Sequence, residues 1–178
     1  MIGMRKVIAI VASLAAAAAL TVVMLPSAGA ASSRFDAVRS AMNKYHSIAK
    51  AEKHHYGMLL DLDKIACIDM PGMGGMGVHW AKPALVGDPA IEKKHPEALV
   101  YAPASDGTLE LAAVEYVVIR KDWLATHTER PSLFGHKFNF TKAGNRFGLP
   151  AYYSLHVWIW KHNPAGTFAM WNPTVHCP

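Results

Sequence analysis

Two cysteines, Cys67 and Cys177, are the only ones in the chain, and they stand about 110 positions apart. In an oxidising compartment such a pair forms one disulfide, and that single bond would tie the C-terminal tail back to the segment after the first predicted helix. No C-x-x-C spacing occurs and Cys177 is the penultimate residue, so a thiolate metal site or a cysteine nucleophile has no local support. On the chain-entropy account, closing a loop of this length stabilises the fold by roughly 4–5 kcal/mol.

The oxidising compartment is itself a sequence expectation. Arg5 and Lys6 precede an apolar run from Val7 to Leu25, and Pro26 then leads into the small residues Ser27-Ala28-Gly29-Ala30. A basic start, an apolar middle and an A-x-A end describe a signal peptide cut after Ala30. The alternative is an uncleaved anchor, since the apolar run is long enough to span a bilayer. No later stretch approaches that length. The reading is therefore 1–30 signal peptide and 31–178 a single globular domain, secreted or periplasmic, with no stable membrane anchor after cleavage.

Arg5 and Lys6 are the two charged residues of the first 30, so their removal lowers the net charge from +5 to +3. Lys and Arg are scattered rather than striped, which argues against nucleic acid as a partner. The ten histidines are the clearer departure from average composition. They raise the question of metal binding or pH sensing without answering it.

The fold class expected is α+β: an N-terminal amphipathic helix packed on a twisted antiparallel sheet or partial barrel built from β-hairpins. Phe35, Val38, Met42, Tyr45 and Ala49 step by three and four, which predicts one helix over 33–57 with its apolar stripe on the core and Gly57 at its end. The segment from Pro71 to Gly77 carries too much glycine for regular structure and reads as a loop. Two hairpins carry the β signal. The first joins 97–101 to 108–119 through Pro103–Gly107, and the second joins 153–160 to 167–171 through Asn163–Gly166. If the two are equivalent, His156 corresponds to Glu97.

Candidate chemistry begins with Glu115. On the strand 108–119 its odd-position neighbours Leu109, Leu111, Ala113, Val117 and Ile119 are apolar, so alternation carries the carboxylate inward. A carboxylate there must be ion-paired, protonated or bound to a cation. His156 lies in the apolar run Leu155-His156-Val157-Trp158, His79 follows the glycines in Gly77-Val78-His79-Trp80, and His136 sits among aromatics in Phe134-Gly135-His136. Three imidazoles and a carboxylate suit Zn, Cu, Fe or Mn, and His79, Glu115, His136 and His156 form the candidate metal set. No diagnostic spacing links them; each also has an ordinary reading as a core histidine or an ion-paired acid. Met70, Met73 and Met76 recur every third residue before His79 and form a separate soft-metal candidate, set against a loop with incidental methionines. Gly72-Met73-Gly74-Gly75 lacks the Lys-Ser/Thr of a phosphate loop, so no nucleotide cofactor is expected, and no G-x-S-x-G elbow occurs.

The segments Gly74-Gly75-Met76-Gly77-Val78-His79, Pro96-Glu97-Ala98-Leu99-Val100-Tyr101 and Leu155-His156-Val157-Trp158 through Trp171-Asn172-Pro173 resemble a group of small exported bacterial proteins of unknown function. The resemblance spans roughly 40–177. It implies an exported single domain and no particular reaction or ligand. Similarity to cupins is weaker: a small β domain with His and Glu is shared, but the cupin ligand spacing is missing.

Two functions compete. One is an exported metal-binding protein with a His/Glu site, with a metal-dependent reaction as its extension. The other is a non-enzymatic binding or envelope module that presents Tyr152, Tyr153, Trp158, Trp160 and Trp171 to a ligand or partner.

Overall fold

The computed structural model describes residues 28–178, with side chains from Arg34 onward. The signal-peptide expectation lies outside the described residues except at its last three positions. In chain order the elements are helix α1 (Ala28–Met42), a 3-10 turn (Asn43–His46), helix α2 (Ile48–Lys53), strands β1 (Gly57–Met58), β2 (Cys67–Met70) and β3 (Gly74–Ala81), and helix α3 (Pro83–Val86). Strands β4 (Ala98–Pro103) and β5 (Leu109–Ile119), helix α4 (Arg120–Leu124), and strands β6 (Ser132–Leu133), β7 (His136–Lys137), β8 (Asn139–Thr141) and β9 (Tyr152–Trp158) complete the chain. The main sheet runs β1-β3-β4-β5-β9-β8 with β2 also on β3, every pairing antiparallel. This is an α+β arrangement, and the sheet is open rather than closed into a barrel.

The single helix predicted over 33–57 is broken. Ser47 is extended, with φ −96° and ψ 113°, between the 3-10 turn and α2. In a continuous helix the Tyr45 carbonyl would accept from the backbone four residues on; here it accepts from the Tyr101 hydroxyl of β4 at 2.7 Å. A tertiary hydrogen bond thus replaces a helical one, and Gly57 opens β1 instead of capping a helix. Phe35, Val38, Met42 and Tyr45 are nevertheless buried together with Leu99, Tyr101, Val114, Tyr116, Leu155 and Val157 of the sheet.

The loop expected through Gly77 is also corrected: β3 starts at Gly74. The glycines are there because backbone comes close. A Cβ on Gly77 would lie 2.6 Å from the Tyr101 carbonyl oxygen, and Gly77 has φ +85°. Gly75 exchanges two backbone hydrogen bonds with Asn172, at 3.1 and 2.9 Å. At Gly74 and Gly75 the approaching backbone is the chain's own tail, Asn172 to Val175. The Cys67–Cys177 disulfide closes the same junction, with the two Cα atoms 5.5 Å apart.

The first hairpin forms as β4 and β5. The second does not: β9 pairs with β5 on one side and β8 on the other, and 167–171 is not a strand. A single ladder-like bond, from the Trp158 amide to the Thr167 carbonyl at 2.9 Å, remains of it. His156 is therefore not the counterpart of Glu97; it stands directly opposite Glu115.

One irregularity decides which face carries Glu115. The β4–β5 register jumps from Val100↔Ala113 to Tyr101↔Leu111, so Ala112 is an extra residue. Beyond this bulge the alternation inverts. Leu109 and Leu111 pack with Val114, Tyr116 and Val118 against the helical side, while Ala113, Glu115, Val117 and Ile119 take the opposite face. The expectation that all odd positions share one face fails for that reason. The opposite face holds its own small cluster of Val100, Ala102, Ala112, Ala113, Trp158 and Val175.

Candidate metal centre

Three strands supply the centre. Glu115 on β5 is the cross-strand partner of His156 on β9 and of Ala98 on β4. His79 on β3 lies one strand further, opposite Val100. Neighbouring strands are about 4.8 Å apart, so His79 and Glu115 meet by reaching over β4. The small side chain of Ala98 leaves room for that reach. The residues are buried, with exposures of 2% for His79, 9% for Glu115 and 1% for His156.

His79 Nε2 lies 3.2 Å from Glu115 Oε2 and 3.0 Å from His156 Nε2, and His156 Nδ1 lies 3.3 Å from Glu115 Oε1. An ion held at about 2.1 Å by each donor sets neighbouring donor atoms roughly 3.0–3.4 Å apart, whether tetrahedral or octahedral. The two spacings around His79 Nε2 fall in that range; the Glu115 contact of His156 uses its other nitrogen, and with one donor atom from each residue the three lie within 4.8 Å of one another. His79, Glu115 and His156 could therefore hold a metal ion. His79 Nδ1, His156 Nδ1 and the nearby Trp80 Nε1 are buried without a hydrogen-bond partner, His156 Nδ1 keeping only its 3.3 Å ionic contact with Glu115. Unsatisfied buried nitrogens cost about 1–3 kcal/mol each, which is tolerated most readily where a group is kept for a task.

Electrostatics leaves the donors in a ligand-ready state. Burial pushes the His156 imidazole down to about 4, more strongly than Glu115 draws it up. Burial tends to raise the Glu115 carboxyl, but His156, the hydrogen bonds from His79 and Ser154 and the charge of His79 together bring it down to about 2. At neutral pH the direction is clear: a carboxylate beside a neutral His156, the protonation states in which oxygen and imidazole bind a cation.

A cavity of about 410 Å³ opens on this centre. His79 and Glu115 are in its wall, and the remainder is mostly apolar, including Leu59, Val86, Val117, Ile119, Phe147 and Leu149. The Phe147 ring lies 6.4 Å from that of His79. Tyr152, also in the wall, is held a neutral phenol by burial and by Glu115, which push it up to about 12.

His136 is not part of this centre. It is exposed on β7, with its ring stacked on Phe168 at 3.7 Å. Nearby Phe138 goes into the core, but it lies beyond the end of β7, and both residues of that two-residue strand, His136 and Lys137, are exposed. The methionines do not share an environment: Met70 and Met73 are exposed and Met76 is buried. Of the aromatic set, Trp158 and Tyr153 belong to the two packed clusters, and only Tyr152 reaches the cavity.

Sequence reasoning missed Ser154, the cavity wall at 147–150 and the state of Glu97. Ser154 was within reach of the pattern, since it precedes His156 by two on the same strand. Glu97 is 2% exposed and accepts a hydrogen bond from the Val117 amide at 2.9 Å. Burial pushes its carboxyl up to about 8. An acid raised above its ordinary value of 4.5 supports the fold most below that value and progressively less as pH rises toward 8. Glu97→Gln keeps an acceptor for Val117 and cannot ionise. Urea unfolding at pH 5 and pH 8 is expected to show this variant gaining stability relative to the parent at the higher pH; parallel curves would refute it.

Compared with known proteins, the chain matches no family model, no curated protein and no solved structure.

Proposed function

We propose that this chain is an exported metal-binding protein, with a divalent first-row transition ion held by His79, Glu115 and His156. The observation that carries the reading is the convergence of two imidazoles and one carboxylate, with one donor atom from each within 4.8 Å of the others, on a buried sheet face. Two imidazoles with one carboxylate form a donor set that leaves coordination positions open, as in hydrolytic zinc sites and non-haem iron sites. Zn, Cu, Fe and Mn are the candidates, and an ion with free positions is what a metal-dependent reaction would require. Soft-metal binding by the methionine segment receives no support from two exposed thioethers. Export is supported by the Cys67–Cys177 disulfide.

The test is metal content of the untagged protein. About one equivalent of ion is expected after exposure to each metal in turn and desalting. A melting-temperature rise is expected for the ion that binds, since 100-fold excess over Kd adds about 2.7 kcal/mol. Substoichiometric content with no thermal shift for all four metals would sink the reading.

A further inference from the structure

We propose that the cavity beside the metal centre takes a small apolar molecule bearing one anionic donor, such as a medium-chain or aryl carboxylate, bound with that donor on the ion. The inference rests on the metal reading above and adds the class of ligand. Three observations carry it.

The first is placement. His79 and Glu115 form part of the cavity wall, while His156 is not in it, so the cavity meets the centre on its His79–Glu115 side. The second is charge. A divalent ion with one carboxylate and neutral imidazoles keeps a net charge of about +1, and in an apolar surround an uncompensated charge is costly. No lysine or arginine lines the cavity, and Glu115 is its one acidic residue. A monoanion completes the balance; a cation would not, and a neutral molecule would leave it unmet. Without the ion, the same Glu115 carboxylate repels an anion, so binding must depend on metal. The third is shape and chemistry. About 410 Å³ lies within the range of small-molecule sites, and Leu59, Val86, Val117, Ile119, Phe147 and Leu149 offer hydrocarbon and one ring to a tail rather than hydrogen-bond partners to a polar body.

The wall is held by a specific latch. Asp61, buried, accepts hydrogen bonds from Arg146 Nε at 3.1 Å and Nη2 at 2.6 Å, and the Leu62 amide donates to the Arg146 carbonyl at 2.9 Å. These bonds join the segment carrying Leu59 to the segment carrying Phe147 and Leu149. The cavity is thus bounded by two tied loops, not by a gap between independent ones.

The experiment uses the full chain, loaded with Zn²⁺ and metal-free, titrated calorimetrically with octanoate and with 1-octanol. Zinc content is measured first on every sample. Octanoate is expected to bind the zinc-loaded protein at least tenfold more tightly than the metal-free protein, and octanol to show no such dependence. Leu149→Trp and Val86→Trp, two wall positions outside the sheet, are expected to retain one zinc and to weaken octanoate at least tenfold. Zinc retention with octanoate binding indifferent to metal, or indifferent to both fillings, overturns the ligand proposal alone. Failure to retain zinc or any other tested ion overturns the metal reading and this one with it.

Discussion

Replacing both Cys67 and Cys177 with serine is expected to lower the unfolding free energy by about 4–5 kcal/mol, because the lost cross-link closes a loop of 110 residues. For a domain whose total stability is on the order of 5–15 kcal/mol, that is a large share. Native contacts add to the effect. The tail that Cys177 anchors pairs Asn172 with Gly75 and places Val175, 1% exposed, in the smaller cluster beside Trp158. Once released, it would fray from the β3 end and expose both. Urea unfolding of the double variant beside the parent, each with and without reductant, measures the difference. The variant should match the reduced parent. A double variant within 1 kcal/mol of the oxidised parent would show that the loop closure contributes little.

Glu115→Gln is expected to weaken metal binding by at least about 100-fold, since even outer-sphere partners of metal ligands are worth 10–100-fold. The substitution nearly preserves volume. It removes the one formal negative charge among the three donors and replaces an oxygen that accepts from His79 and Ser154 with an amide whose NH₂ can only donate. The Glu115–His156 backbone pairing does not depend on the side chain, so the fold should remain, as circular dichroism of the metal-free forms can verify. Competition with a chromophoric chelator gives the affinities. Equal affinities for variant and parent would remove the carboxylate from the coordination sphere and, with it, the basis for the site.

Glu115 and His156 were legible because each is a polar residue in an otherwise apolar run, and both strands are buried along nearly their whole length. Their partnership was not legible. It depends on β9 pairing with β5 in a register that aligns His156 with Glu115, and no local pattern encodes a long-range register. The route by which His79 joins is further removed still. It needs β3 to sit two strands from β5, and a side chain as small as Ala98 in between. The bulge at Ala112 defeated the simple alternation argument, since Leu111, Ala112 and Ala113 look continuous with the rest of the run. His136 failed for the opposite reason: aromatic neighbours signal burial of a segment, not the direction of one ring within it. The Ser47 break came from Tyr101, 54 positions later in the chain, competing for a carbonyl that helix periodicity assigns elsewhere.

The three candidate donors come from β3, β5 and β9, and the first and last of them are 77 positions apart. No fragment that lacks β3 or β9 contains the set, and the set comes together only when β3, β4, β5 and β9 have paired. Under the export reading, a chain threaded through a membrane as an unfolded polymer crosses with its donors dispersed. Whatever ion it finally carries must then be acquired on the far side, from the supply available there, after the sheet has assembled.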